Sequence, residues 1–251
     1  MSYTDLNPES VHNKDIARAT EMGLMVGYGD GTFKPLQSVT REEMASVISR
    51  LSFRLCLIDW VLPKVIPAVP TVYRADGGLG TGFYVTQDGY MITARHVVEG
   101  SLTGLTILDS RGNLPAQVVD VGANDIDIAL LKVNMSACPY LRFPTTPDAL
   151  YSGKHIACVG SPKGYSESVT QGIVSDPHRE VYPGVAEIGA FQTDCPINPG
   201  NSGGPLIDGN AEVIGIALWK FADVRIDDMA FALRYDRIIA FLEQNGVKYN
   251  A

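Results

Sequence analysis

The sequence predicts a mainly β fold that ends in a helix and is preceded by a small helix–loop–helix unit. Three observations carry this expectation. Beyond about residue 70, short runs rich in Val, Ile, Leu and Thr are separated by Gly, Asp and Asn, as in barrels or sandwiches of many short strands. Before residue 58 the apolar residues recur at helical spacing instead. A single serine, Ser202, sits in Asn198-Pro199-Gly200-Asn201-Ser202-Gly203-Gly204-Pro205, where glycine lets the backbone turn sharply and hold N–H groups free.

The N-terminal part reads as follows. Asp15 to Met22 suggests a short helix with Ile16 and Ala19 inward, stopped by Gly23 just past its end. Gly27 to Pro35 is a turn-rich loop. A second helix starts at Thr40, where Thr40 and Glu43 make a capping box. Met44, Val47, Ile48 and Leu51 then form one apolar face. Two helices and a loop bring little core of their own. The stretch 58–70 holds Pro63, Pro67 and Pro70 and is expected to run extended as a linker. The expected divisions are therefore 1–57, 58–70 and 71–251.

Next, Thr81 to Thr86 and Tyr90 to Thr93 flank Gln87-Asp88-Gly89, a hairpin turn. Further strands are expected at Leu105 to Leu108, Ala116 to Val121, Ile126 to Val133 and His155 to Val159. Ser168 to Val174, Phe191 to Asp194, Pro205 to Ile207 and Val213 to Leu218 complete the set. Arg234 to Gln244, with Ile238, Ile239, Phe241 and Leu242 apolar, reads as a closing helix. Gly78-Leu79-Gly80-Thr81-Gly82 is no dinucleotide loop, because a strand and not a helix follows it.

Composition narrows the function. The chain has 251 residues, 45% of them hydrophobic, which is ample core for one large or two smaller domains. A net charge of −8 disfavours a nucleic-acid backbone as main partner, since that needs a basic surface. Met1 to Asp5 lacks the basic and apolar segments of a secretory leader. Leu51 to Pro70 is interrupted by Arg54, Asp59, Lys64 and three prolines, so no membrane span is expected. Cys56, Cys138, Cys158 and Cys195 lack paired spacing and read as buried thiols. No zinc-ligand spacing appears, and no metal or other cofactor is expected.

A serine hydroxyl is a poor nucleophile unless a base and an orienting acid accompany it. Thr93-Ala94-Arg95-His96-Val97-Val98 offers a histidine beside a strand end. Asp125-Ile126-Asp127-Ile128-Ala129-Leu130-Leu131 offers an aspartate among apolar residues. The order His, Asp, Ser is that of chymotrypsin-type enzymes.

From Leu62 to about Gly246 the chain resembles the high-temperature-requirement (HtrA/Deg) branch of trypsin-like serine proteases. The resemblance rests on Gly80-Thr81-Gly82-Phe83, Asp88 through Val98, Asp127-Ile128-Ala129-Leu130, Thr170 through Ser175 and Thr193 through Pro205. It implies two six-stranded β-barrels with the site in the cleft between them. It makes Ser202 the nucleophile and His96 the base. Asp127 is preferred to Asp125 as the orienting acid, because the family's acid directly precedes Ile-Ala-Leu. The backbone N–H groups of Gly200 and Ser202 would form the oxyanion hole. Ile214, Ile216, Ala217 and Leu218 lie on the strand expected to wall the substrate pocket, and a small or medium aliphatic side chain is the expected occupant. Asn201 stands where digestive trypsins carry the aspartate that pairs with a newly cut N-terminus, so activation by that route is not expected. His12, His155 and His178 lie outside the matching segments and read as structural or surface residues. Cys195 is flagged as a neighbour of the site. Family members carry a C-terminal PDZ domain that nothing before Ala251 matches, so peptide-sensing regulation and cage assembly are not expected. A homotrimer is compatible with the resemblance.

Residues 1–57 resemble a single S-layer homology (SLH) motif. Tyr3-Thr4-Asp5-Leu6, Lys14-Asp15-Ile16, Gly23-Leu24, Gly27 through Pro35 and Val39-Thr40-Arg41-Glu42-Glu43 carry the match. The family anchors proteins to pyruvylated cell-wall polysaccharide, which implicates Arg41 as a cation for the anionic sugar. Val11 or His12 stands where the family has tryptophan, and anchoring proteins carry three motifs where this chain has one. The expected function is a serine endopeptidase acting on protein or peptide substrates through an acyl-enzyme. Its motif suggests a cell surface or wall without fixing the location. The alternatives are a catalytically silent trypsin-fold binding module and a structural component of a virion or cell wall.

Overall fold

The structure is a computed structural model that describes residues 3–250 apart from 22, 56, 124–125, 147–148, 161–167, 180–188 and 221–228. The chain divides into two compact units, Met1–Cys56 and Leu57–Ala251.

The first unit contains α1 (Asn13–Glu21) and α2 (Arg41–Leu55). Its helix ends follow the expected chemistry. Gly23, at φ 63°, ends α1, with its N–H on Thr20 O and the Leu24 N–H on Ala19 O. At α2 the Glu43 N–H reaches Thr40 Oγ1 at 3.1 Å and Glu43 Oε2 accepts the Thr40 N–H at 2.8 Å, which completes the capping box. The loop between the helices is built on polar contacts. Asp5 accepts the N–H groups of Phe33 and Lys34 at 2.8 and 2.7 Å, and these bonds, the Phe33 one first, hold its carboxyl below the ordinary range. The expected inward faces are only partly covered. Ile16 and Ala19 are half-buried, Met44 and Ile48 are exposed, and no described residue of 3–48 is fully buried. Two short helices and a loop cannot enclose a side chain between them.

The second unit opens with a correction. The stretch expected to be an extended linker begins as helix α3 (Leu57–Val65), followed by a single 3-10 turn, Ile66–Ala68. Pro63 lies inside the helix and Pro67 at the start of the turn. Val61, Val65 and Ala68 recur at near-helical spacing and are buried in the core of this unit, and that burial outweighs the cost of one proline.

Among the described residues twelve strands follow. They are β1 (Thr71–Tyr73), β2 (Leu79–Tyr84), β3 (Tyr90–Thr93), β4 (Leu105–Asp109), β5 (Gly112–Val121) and β6 (Ala129–Val133). The second set comprises β7 (His155–Gly160), β8 (Ser168–Arg179), β9 (Ala190–Thr193), β10 (Pro205–Ile207), β11 (Val213–Lys220) and β12 (Ala230–Arg234). The short helix α4 (Arg95–Val98) follows β3, and α5 (Tyr235–Gln244) closes the chain. The strands close into two antiparallel barrels, one in the order β1-β2-β3-β6-β5-β4 and the other β10-β11-β12-β9-β8-β7. The double barrel expected from the resemblance is therefore present.

Local chemistry explains the joints. At the β2–β3 hairpin Gly89 has φ 93°, and a Cβ there would fall 2.2 Å from Val133 O, so only glycine fits. Strand β6 starts at Ala129 and not at Ile126. The Ile128 N–H bonds to Ile126 O and the Gly122 N–H to Ile128 O, which makes a tight loop before the strand. Strands β1 and β12 were not anticipated. The first is three residues long, and Ala230 to Leu233 are all buried, so neither shows alternation. Helix α5 buries Ile238, Phe241 and Leu242 as expected. The thiols of Cys138, Cys158 and Cys195 are buried, and burial pushes that of Cys138 up to about 11 and the other two upward. Cys56 lies outside the described residues. Among the described residues no helix is long and apolar enough to cross a membrane.

Candidate active site

His96 is carried by α4, whose Val97 and Val98 are buried and pin the turn to the first barrel. Asp127 lies in the loop before β6, with its side chain 13% exposed beside the buried Ile128. Both carboxylate oxygens face one residue. Oδ1 accepts the His96 backbone N–H at 2.9 Å, and Oδ2 lies 2.5 Å from His96 Nδ1. A carboxylate only accepts, so the imidazole proton belongs on Nδ1 and Nε2 is left as the base. Burial pushes the Asp127 carboxyl up, but the hydrogen bond and charge of His96 prevail and hold it below the ordinary value. Arg95 Nη1 donates to Ala123 O at 3.0 Å and braces the same loop. Asp125, the alternative acid, lies outside the described residues.

Ser202 sits on the loop between β9 and β10. The Asn201 N–H bonds to Asn198 O, the Gly204 N–H to Asn201 O, and the Gly203 N–H to Ala217 O at 2.8 Å. Gly203 has φ 83°, and a Cβ there would lie 2.3 Å from both Thr81 O and Thr93 Oγ1. The first barrel grips this loop from behind. The Thr81 N–H donates to Ser202 O at 2.9 Å, Thr81 Oγ1 to Gly200 O at 2.6 Å, and Thr93 Oγ1 to Thr81 O at 2.6 Å. Among the described residues, the N–H groups of Gly200 and Ser202 are engaged in no hydrogen bond. The Ser202 hydroxyl donates to Leu218 O at 3.1 Å and not to His96. Rotation about its one side-chain torsion, between staggered wells, redirects it.

His96, Gly200 and Ser202 line one cleft of about 530 Å³. Its other walls are Arg74, Gly78, Leu79, Val97, Ile197, Asn198, Pro199 and Leu218. Of the residues expected to form the substrate pocket, Leu218 lines this cleft. Ile216 and Ala217 instead lie in the hydrophobic cores, as does Ile214, because β11 is covered on both faces. Arg74, Leu79, Val97 and Ile197 were not foreseen as cleft residues. Asn201 is 1% exposed, and neither polar atom of its side chain has a partner among the described residues. Cys195 does not border the cleft; it is buried in the second barrel with Sγ 3.3 Å from Thr170 Oγ1. His12, His155 and His178 are exposed and none of them lines the cleft, with the His178 ring against Arg234. Arg41 is the exposed first residue of α2 in the other unit. Among the described residues no group of three or more His, Cys, Asp or Glu is placed to hold a metal ion.

Two closed antiparallel barrels, a histidine–aspartate pair on one and a glycine-bounded serine on the other, define the trypsin-like class. A family model described as "Trypsin-like peptidase domain" matches residues 80–216, more than half of the 251 residues, and the chain belongs to that family. An S-layer homology domain model matches residues 2–45. A probable periplasmic serine endoprotease DegP-like of Pseudomonas fluorescens is 41% identical over 143 residues, covering 57% of this chain and 29% of the relative. Its counterpart from Halomonas elongata is 43% identical over 138 residues, covering 55% and 28%. This chain thus spans less than a third of those relatives' length. Among solved structures, HtrA-type protease AlgW with tripeptide superposes with a TM-score of 0.65 at 27% identity, covering 74% of this chain and 64% of that one. The serine endoprotease from Yersinia pestis gives 0.63 at 26%, covering 73% and 64%. The HtrA and SLH resemblances seen in the sequence both stand.

Proposed function

We propose that the protein is a serine endopeptidase in which Ser202, His96 and Asp127 act as the triad. The observation that supports this most is the imidazole fixed by two contacts to one buried carboxylate, in the same cleft as a serine flanked by uncommitted N–H groups. Ser202 Oγ attacks the scissile carbonyl as its proton passes to His96 Nε2. The developing oxyanion takes the N–H groups of Gly200 and Ser202. Collapse expels the amine, which carries off that proton, and water repeats the sequence on the acyl-enzyme. The apolar walls Leu79, Val97, Ile197 and Leu218 suit a small or medium aliphatic substrate side chain.

The first unit, in this proposal, attaches the enzyme to an anionic cell-wall polysaccharide. Arg41 supports it as an exposed cation that makes no ion pair among the described residues. A cation at a helix N-terminus opposes the macrodipole, so its placement there favours an external anion. Retention on purified pyruvylated wall polymer, lost in Arg41→Ala, tests this part.

Labelling by a fluorophosphonate probe tests the enzyme. Wild type should label and Ser202→Ala should not; an unlabelled wild type overturns the proposal. The bond from Ser202 to Leu218 O favours one competing account, a silent binding module, and the same experiment separates the two.

A further inference from the structure

Arg74 follows β1 and heads a tight turn into β2. Its N–H bonds to Gly78 O at 2.8 Å and the Gly77 N–H bonds to Arg74 O at 3.1 Å, with Gly77 at φ 87°. The side chain folds back across Gly78, where a Cβ would lie 2.3 Å from Nη2, and reaches the wall of the cleft that holds His96 and Ser202. Two of its three nitrogens are tied. Nε donates to Asp76 Oδ1 at 2.9 Å, and Nη1 donates at 2.9 Å to the carbonyl of Glu99, which ends the His96 helix. Nη2 has no partner among the described residues. The guanidinium is thus held in place with one N–H₂ group unspent, and its side chain is only 23% exposed.

Ser202 stands between two strands. Its neighbour Gly203 bonds to Ala217 of β11, while Thr81 at the start of β2 bonds to Ser202 O on the other side. If, in the proposed enzyme, the acyl half of a substrate lies along β11 at Leu218, the cleft walls left for the leaving half are Gly78 and Leu79, beside Val97 and His96. We infer that Arg74 is a specificity-determining residue that selects substrates with Asp or Glu within the first two positions on the leaving side of the scissile bond. This rests on the endopeptidase function proposed above. A guanidinium with a free edge is the donor that matches a carboxylate. Asp76 offsets part of the charge and the rim is solvated, so the gain is modest, about fivefold in kcat/KM.

The test uses matched peptides that differ only in Ala, Glu or Lys at each of those two positions. Wild type should favour Glu over Ala about fivefold at one of them and disfavour Lys. Arg74→Gln keeps a donor for the Glu99 carbonyl but no charge, and Gly78→Ala displaces the guanidinium. Both should bring the Glu-to-Ala ratio close to one. If Arg74 merely braces the His96 turn, all three peptides slow together and the ratio stays at the wild-type value, which overturns the inference. Equal cleavage of Glu and Ala peptides by wild type overturns it too, while leaving the endopeptidase intact. Fluorescence anisotropy with Ser202→Ala protein gives the same comparison without turnover. The Glu peptide should bind about fivefold tighter, and equal affinities refute the inference even if no peptide is cut.

Discussion

Thr81→Val is the perturbation that best isolates how one barrel organises the other's serine. The Thr81 side chain is fully buried and its hydroxyl donates at 2.6 Å to Gly200 O, which is itself buried. Valine has nearly the same shape, so no cavity opens; what changes is that a buried carbonyl loses its donor. A net hydrogen bond contributes about 1 kcal/mol, and an unsatisfied buried acceptor costs about 1–3 kcal/mol, so a loss of about 2 kcal/mol is expected. For a domain of this size that lowers Tm by roughly 4–8 °C. The peptide freed by the change leads directly to Ser202. If the aim of one oxyanion donor is lost, kcat falls about 10²–10³-fold with little change in KM. The assays are thermal unfolding and steady-state cleavage of one peptide by wild type, Thr81→Val and Thr81→Ser. The serine variant retains the hydroxyl and should keep most of kcat. Wild-type kcat in Thr81→Val, with Tm lowered as stated, would falsify the view that this bond orients the serine loop.

Asp127→Asn should lower kcat about 10⁴-fold while leaving fluorophosphonate labelling measurable but slow, because an amide whose oxygen accepts the His96 backbone N–H turns a donor toward Nδ1 and favours the wrong tautomer. The folded carboxyl of Asp127 titrates below 3.8, so its stabilising contribution is present above that pH and disappears as pH falls through the folded value. Wild type and Asp127→Asn should therefore converge in urea midpoint in acid, and parallel profiles would count against the pairing. Gly203→Ala forces a side chain to positive φ and a Cβ to 2.3 Å from Thr81 O, so a loss of about 3 kcal/mol or more is expected in urea unfolding. A loss under about 1 kcal/mol would show that the loop yields at no cost. Asn201→Asp buries a carboxylate at a position whose side-chain polar atoms have no hydrogen-bond partner among the described residues, which raises its folded pKa. The variant's deficit should be small below about pH 4 and grow to about 3 kcal/mol at pH 7 as the pH rises through that raised value. A deficit independent of pH contradicts the burial of that side chain.

The triad candidates were legible because each lies in a short segment with its own local logic. Gly203 is demanded by φ and close contact at one position, and His96 and Asp127 adjoin strands whose apolar runs are visible. The helix caps at Gly23 and Thr40 were equally local. The cleft walls were not legible. Arg74, Leu79 and Ile197 come from a turn and an irregular loop, where no periodicity marks which side chain faces the substrate. Ile216 and Ala217 misled because β11 is buried on both faces, so position along the strand did not reveal which face meets the cleft. Helix α3 is hidden in the sequence because the three prolines of 58–70 signal an extended chain, although Val61 and Val65 stand at helical spacing. A proline costs one helix hydrogen bond and some strain, whereas each buried valine contributes about 1.5 kcal/mol or more.

The hydrogen bond from Ser202 to Leu218 O bears on whether the catalytic machinery is silent, and its strength can be bounded. The donor and acceptor are neutral, and the net contribution of such a bond is about 1 kcal/mol. At that cost the hydroxyl leaves the carbonyl in about one molecule in six, and kcat/KM falls by about the same factor. Silence at the level of a dead enzyme would need more than 5 kcal/mol in this one contact, which no neutral hydroxyl–carbonyl bond supplies. The costlier components, the fixed imidazole and the loop held by the Thr81 N–H and hydroxyl, are already arranged before any substrate arrives. If the triad proposed above operates, the resting serine is therefore a modest brake on it. A Leu218 substitution leaves this brake in place, because the acceptor belongs to the backbone.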